Sequence, residues 1–138
     1  MLLTSHQFFE LLNGVGPEII HIANLPGDLA EHLNTIATAV QIERSYVIKV
    51  CDAKHRLDVH DFALMQHILE HGRVVKEGKE GKDGHLSFYY PDNRRHPNWL
   101  KLVIKTTNHG HQLWVATFHP KSPAEVKASP RKHQVIRW

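Results

Sequence analysis

The residues with the most chemical capacity are His85, Ser87, Tyr89, Lys101, Lys105, Thr117 and His119, spaced so that alternating strands gather them on one side of a sheet. Such a surface holds what cleavage of RNA without a metal requires. One group takes the 2′-hydroxyl proton, a second protonates the leaving 5′-oxygen, and a cation or donor steadies the charge on phosphorus. His119 can act as base or acid, because imidazole titrates near neutrality. Lys101 or Lys105 can hold the phosphate, and Thr117 or Tyr89 can donate to it. Tyr and Trp rings nearby can stack on unpaired bases. The same composition also suits an ordinary solvated face, and Val103 and Val115 interrupt the polar pattern.

A second set, His60, His67 and His71, lies along one helical stripe at spacings of seven and four. Two histidines four apart can clamp a metal. However, His67-Ile68-Leu69-Glu70-His71 has the wrong order for a metalloprotease helix, and thirteen histidines make chance pairs common. The alternative is that one helix histidine contributes to a cleft where helix meets sheet. His109 and His111 flank Gly110 at a hairpin tip and read as solvated turn residues. Cys51 ends the apolar run Tyr46-Val47-Ile48-Lys49-Val50-Cys51 and reads as a packing residue rather than a nucleophile.

The elements that must position these groups come in two parts. Thr4 or Ser5 caps a short helix to Asn13, with Phe8, Leu11 and Leu12 on one face and Gly14 as its stop. Residues 18–22 are a short strand or a buried link. Pro26-Gly27-Asp28 opens a second helix to about Ala39, carrying Leu29, Leu33, Ile36 and Ala37 inward, and residues 46–51 resemble a strand. Asp58 caps a third helix bearing Phe62, Met65 and Leu69, closed by a left-handed Gly72. Four strands follow over 73–76, 85–90, 99–107 and 112–119, with an exposed turn over 77–84, a loop over 91–97 and a tight turn at 108–111. Loops this short make neighbouring strands antiparallel. On the last strand, Trp114, Ala116 and Phe118 alternate with Leu113, Val115, Thr117 and His119. The prolines of 120–138 argue against a central strand there, although Val135-Ile136 with Trp138 can dock as an edge segment. The expected fold is therefore α+β: N-terminal helices packed on a C-terminal four-stranded antiparallel sheet. It reads as one domain over 1–138, with a helical part (1–54), a helix plus sheet (55–120) and a basic, proline-containing tail (121–138).

The 138 residues, 41% of them hydrophobic, suffice for one core. No apolar run reaches the ~18–20 residues of a membrane helix. Met1 to His6 lacks the basic lead and apolar region of a secretory signal. With a single cysteine, this implies a cytoplasmic, reducing setting and no membrane partner. Charge is divided unevenly. Residues 1–70 hold four Lys/Arg against nine Asp/Glu, whereas residues 71–138 hold thirteen against five. A basic half implies a polyanionic partner.

The helix ending in His71-Gly72, the strand Arg73-Val74-Val75-Lys76 and the final strand Leu113-Trp114-Val115-Ala116-Thr117-Phe118-His119-Pro120 follow one another in an order that resembles the phage- and toxin-associated branch of the barnase–EndoU–colicin–RelE-like nuclease superfamily. In that group a helix precedes a four-stranded antiparallel sheet whose last strand often ends in Thr followed by an aromatic residue. The resemblance covers residues 55–120 and leaves the first 50 unexplained. It implies a metal-independent ribonuclease of toxin type that needs no cofactor, with RNA as substrate and a cognate inhibitor protein as companion. By position, Thr117 and His119 match the end of the last strand, His67 or His71 the polar position on the preceding helix, and Lys101 or Lys105 the basic residue of a central strand. Tyr89, His85 and Ser87 would contact substrate. The alternative is a non-catalytic module that grips RNA or an acidic protein through its basic sheet face.

Overall fold

A computed structural model describes residues 4–51, 57–77, 84–92, 99–107 and 110–138. The expected turn over 77–84, the loop over 91–97 and the hairpin tip at Asn108 and His109 fall wholly or largely outside those residues.

The chain is α+β, but its sheet has seven strands and is mixed, where four antiparallel strands were expected. In chain order the elements are α1 (Ser5–Leu12), β1 (Ile19–Asn24), α2 (Gly27–Ala30) with a 3₁₀ turn (Glu31–Leu33), β2 (Ala39–Glu43), α3 (Arg44–Val50), α4 (Val59–Ala63), α5 (Met65–His71), β3 (Arg73–Glu77), β4 (His85–Pro91), β5 (Trp99–Thr107), β6 (Gln112–Lys121), α6 (Pro123–Lys132) and β7 (Gln134–Arg137). The strands lie in the order β1-β2-β6-β5-β4-β3-β7. The four expected strands form its centre as an antiparallel run. The N-terminal part extends that run with the β1–β2 hairpin, joined through a short parallel pairing of β2 with β6, and β7 closes the other edge.

Three local readings change for physical reasons. Residues 46–51 fall on a helix and not a strand: Val47 and Val50 are buried while Ile48 and Lys49 are exposed, a three-residue spacing that strand alternation cannot produce. The second helix stops early, at Asn34, whose φ of +50° is left-handed. Ile36 consequently lies 79% exposed rather than inward. Gly72 is extended, with φ −65° and ψ 159°, not left-handed. It has to be glycine because a Cβ would come within 2.7 Å of the Ile68 carbonyl oxygen and 3.2 Å of that of Tyr89.

Helices α1 to α5 and the 3₁₀ turn cover one face of the sheet. Phe8, Leu29, Phe62, Met65 and Ile68 pack there against Ile22, Val40, Leu86, Phe88, Leu102 and Phe118. Capping boxes at Thr4–Gln7 and Asp58–Asp61 fix the starts of α1 and α4. Arg137 of β7 closes the other end of α5, donating to the carbonyl oxygens of Leu69 and Gly72 at 2.9 and 2.8 Å. The proline-rich tail is partly helical. Ser122 caps α6 by accepting from the Glu125 amide at 3.3 Å, and Pro123 occupies the first turn, where no amide proton is needed. Helix α6 lies on the opposite, outer face, where Val126 packs with Val75, Tyr89 and Trp99.

Candidate functional site

The outer face is built in rows across β3, β4, β5 and β6. Arg73, Tyr89, Lys101 and His119 form one row; Val75, Ser87, Val103 and Thr117 form the next. Glu77, His85 and Lys105 begin a third, which ends at Trp114. Strand alternation thus gathers His85, Ser87, Tyr89, Lys101, Lys105, Thr117 and His119 on one side. The pairing of β5 with β6 slips between Val103 and Ile104, where Ala116 has no partner. This bulge turns Val115 inward with Leu113 and brings Trp114 out with Thr117 and His119. Strict alternation had put Trp114 with Phe118 on the apolar side. The bulge also removes one of the two apolar interruptions, leaving Val103 between Ser87 and Thr117.

Glu77 organises the middle of this face. Its carboxylate is 15% exposed and meets Lys101 at 3.3 Å, His85 at 3.1 Å and His133 at 3.5 Å. Burial works to raise its pKa, but the charges of Lys101 and His133 and the nearby Ser87 outweigh it and hold the group ionised below the usual value. The Ser87 hydroxyl is fully buried; it lies close enough to act on Glu77 yet forms no hydrogen bond of good geometry. Tyr89 donates its hydroxyl proton to Ser129 of α6 at 3.0 Å, and Lys101 sits 5.6 Å from the Tyr89 ring centre. Between sheet and α6 lies a groove of about 330 Å³, lined by Glu77, Tyr89, Lys101, Lys121, Lys132 and His133 among others.

His119 is cross-strand neighbour to Lys101 at one end of the face. Burial first, then the charges of Lys121 and Lys101, lower its pKa against the opposing pull of Glu125, which favours the neutral ring. From Glu77 it is three strand spacings and two rows away, roughly 19 Å between Cα atoms on standard sheet geometry. Lys101 reaches between the two positions.

His67 and His71 lie elsewhere. Their rings are 4.5 Å apart on α5, and His67 stands edge-on to Tyr90 at 5.3 Å. Tyr90 packs against the helix-side core, whereas His119 follows Phe118 onto the outer face. The sheet therefore separates the helix histidines from His119, and the two sets cannot touch one phosphate. His60 is exposed on α4. Among the described residues no group of three or more His, Cys, Asp or Glu side chains could hold a metal ion.

Glu77 and His133 were missed as site residues. By sequence Glu77 opens an exposed turn, but it continues the alternation Arg73, Val75, Glu77 and so falls beside His85. His133 follows a helix that the prolines concealed. No family model, no curated protein and no solved structure matches this chain. No helix among the described residues is long and apolar enough to cross a membrane.

Proposed function

We propose that the chain is a metal-independent, toxin-like ribonuclease of the cytoplasm, acting on RNA laid across its outer sheet face. The observation that carries this reading is the ionised Glu77 carboxylate held among Lys101, His85 and His133. Glu77 takes the proton from a ribose 2′-hydroxyl, and that oxygen attacks the adjacent phosphorus. The P–O5′ bond breaks as His85 or His133 delivers a proton to the departing oxygen, leaving a 2′,3′-cyclic phosphate. Lys101 offsets the charge that builds on the phosphoryl oxygens. His119 and Thr117 contact the neighbouring backbone, and Lys105 extends the cationic track. An acidic inhibitor protein is the natural counterpart of such a face.

A second reading, a binding module without catalysis, is favoured by one observation: the Glu77 carboxylate already meets one lysine and two histidines, as a purely structural polar cluster would. One assay separates them. Purified protein is incubated with total cellular RNA in EDTA beside Glu77→Gln and His119→Ala. The expected result is fragments ending in cyclic phosphate, with the rate of Glu77→Gln lower by about 10²- to 10⁴-fold. Intact RNA, or cleavage indifferent to Glu77→Gln, would sink the catalytic reading.

A further inference from the structure

A cleft at the β6 end of the row that begins with Glu77 shares Lys105 with the cationic track, and its other groups have no part in the chemistry above. It opens where β2 and β6 part company. The two strands pair only at Val40–Leu113 and Gln41–Trp114. Beyond that point Tyr46 of α3 takes over, its hydroxyl accepting the Phe118 amide proton at 2.7 Å. The divergence leaves a space of about 380 Å³ lined by Glu43, Tyr46, Lys105, Thr107 and Trp114.

Its contents indicate the class of ligand. Trp114 is half-exposed, and its indole nitrogen makes only a long contact, 3.4 Å, to Gln112. Lys105 is exposed and makes no ion pair among the described residues. A flat ring beside an uncommitted cation matches a base joined to its phosphate. Glu43 in the same lining disfavours a bare anion, because a carboxylate repels it. A base inside a duplex has both faces covered by its neighbours, so only an unpaired one can use the indole.

We infer that this cleft is a subsite for the base of an unpaired ribonucleotide, with Trp114 as stacking platform and Lys105 on the adjoining phosphate. The inference rests on the RNA reading and adds that the substrate is single-stranded. Lys105 is the cross-strand neighbour of His85, in the row that runs Glu77, His85, Lys105 and Trp114. Trp114 is three strand spacings from Glu77, about 14 Å between Cα atoms. The subsite therefore adjoins the Glu77 cluster, and the stacked base belongs to a nucleotide beside the one cleaved.

The test separates binding from cleavage. Affinity is measured by fluorescence anisotropy with a labelled oligoribonucleotide of about ten nucleotides, its sugars 2′-O-methylated so that no attacking hydroxyl exists. The same strand annealed to its complement is the second probe. Trp114→Ala should weaken single-strand binding roughly five- to hundredfold, the range expected for one lost stack. Trp114→Phe should recover most of that loss, Lys105→Ala should flatten the salt dependence, and the exposed Lys127→Ala is the control for charge. The duplex should bind more weakly. Single-strand affinity unchanged in both Trp114→Ala and Lys105→Ala, or a duplex bound equally tightly, would overturn the subsite. Unmethylated strand run in parallel reports on the nuclease. Trp114-dependent binding without cleavage keeps the subsite and removes the enzyme, whereas cleavage indifferent to Trp114 does the reverse.

Discussion

Phe118 and Thr117 are neighbours in the chain and lie on opposite sides of the sheet. Phe118 is fully buried, edge-on to Phe62 with ring centres 5.3 Å apart, while Thr117 stands exposed beside Val103. Along the central strands the same division recurs: Leu86, Phe88, Leu100 and Leu102 turn toward the helices, and His85, Ser87, Tyr89 and Lys101 turn away. One side of the sheet uses its side chains to hold the fold. The other is covered only in part, by α6, and bears the charge. Stability and function are thus assigned to alternate residues of the same strands, so substitutions one position apart should have effects of different kind.

The largest contrast is predicted for Phe118→Ala against Thr117→Ala. Removing a buried aromatic ring leaves a cavity and costs about 3–5 kcal/mol. An exposed threonine outside any cap or network costs within about 0.5 kcal/mol. Urea denaturation of the two variants measures both. Equal losses would mean that the outer face also carries the fold. Tyr46→Phe should fall between them, at about 1–3 kcal/mol, because it strands the Phe118 amide where β2 no longer runs beside β6. If Tyr46→Phe unfolds at the wild-type urea concentration, water or backbone movement has replaced the hydroxyl.

The period-two pattern of residues 73–119 carried enough information for four strands and their two faces, since each strand alternates apolar with polar residues. What it could not carry was the bulge. One unpaired residue, Ala116, reverses the sense of alternation on one side of itself, and no residue type there announces it. The short run 46–51 was ambiguous because six apolar-rich residues satisfy either period; Arg44–Val50 became helical through the spacing of Val47 and Val50. The inner strand β2 (Ala39–Glu43) went unread, because it begins where the Pro-Gly helix was expected to end and its five residues are too few for periodicity to decide. Ser122-Pro123 is a legible helix start, but the tail prolines were weighed only against a central strand, and Pro130 lies inside α6, where it removes one helix hydrogen bond. Of the candidate site, the lysines, hydroxyls and His119 could be placed from alternation alone. The convergence on Glu77 could not, because it depends on long side chains from β4 and β5 and from the turn after α6 reaching one carboxylate.

The smallest predicted effect concerns acid, and it separates the two ends of the outer face. The folded state lowers the pKa of His119 below its ordinary 6.5, through burial and the charges of Lys121 and Lys101 against Glu125. The unfolded chain therefore binds that proton more readily, and stability should begin to fall as pH drops through about 6.5. Glu77 is also lowered, from an ordinary 4.5, in spite of its burial, because Lys101, Ser87 and His133 favour its charge. Its contribution is present above that value and is lost only as pH falls further, through its folded pKa. Melting temperature followed from about pH 8 down to about pH 3 should show an early shallow decline and a later steeper one. His119→Gln should remove the early decline and keep the later; Glu77→Gln should do the opposite. A single decline that both variants alter alike would mean that the Lys101 side chain couples the two ends into one titrating unit, and that the outer face works as one site rather than two.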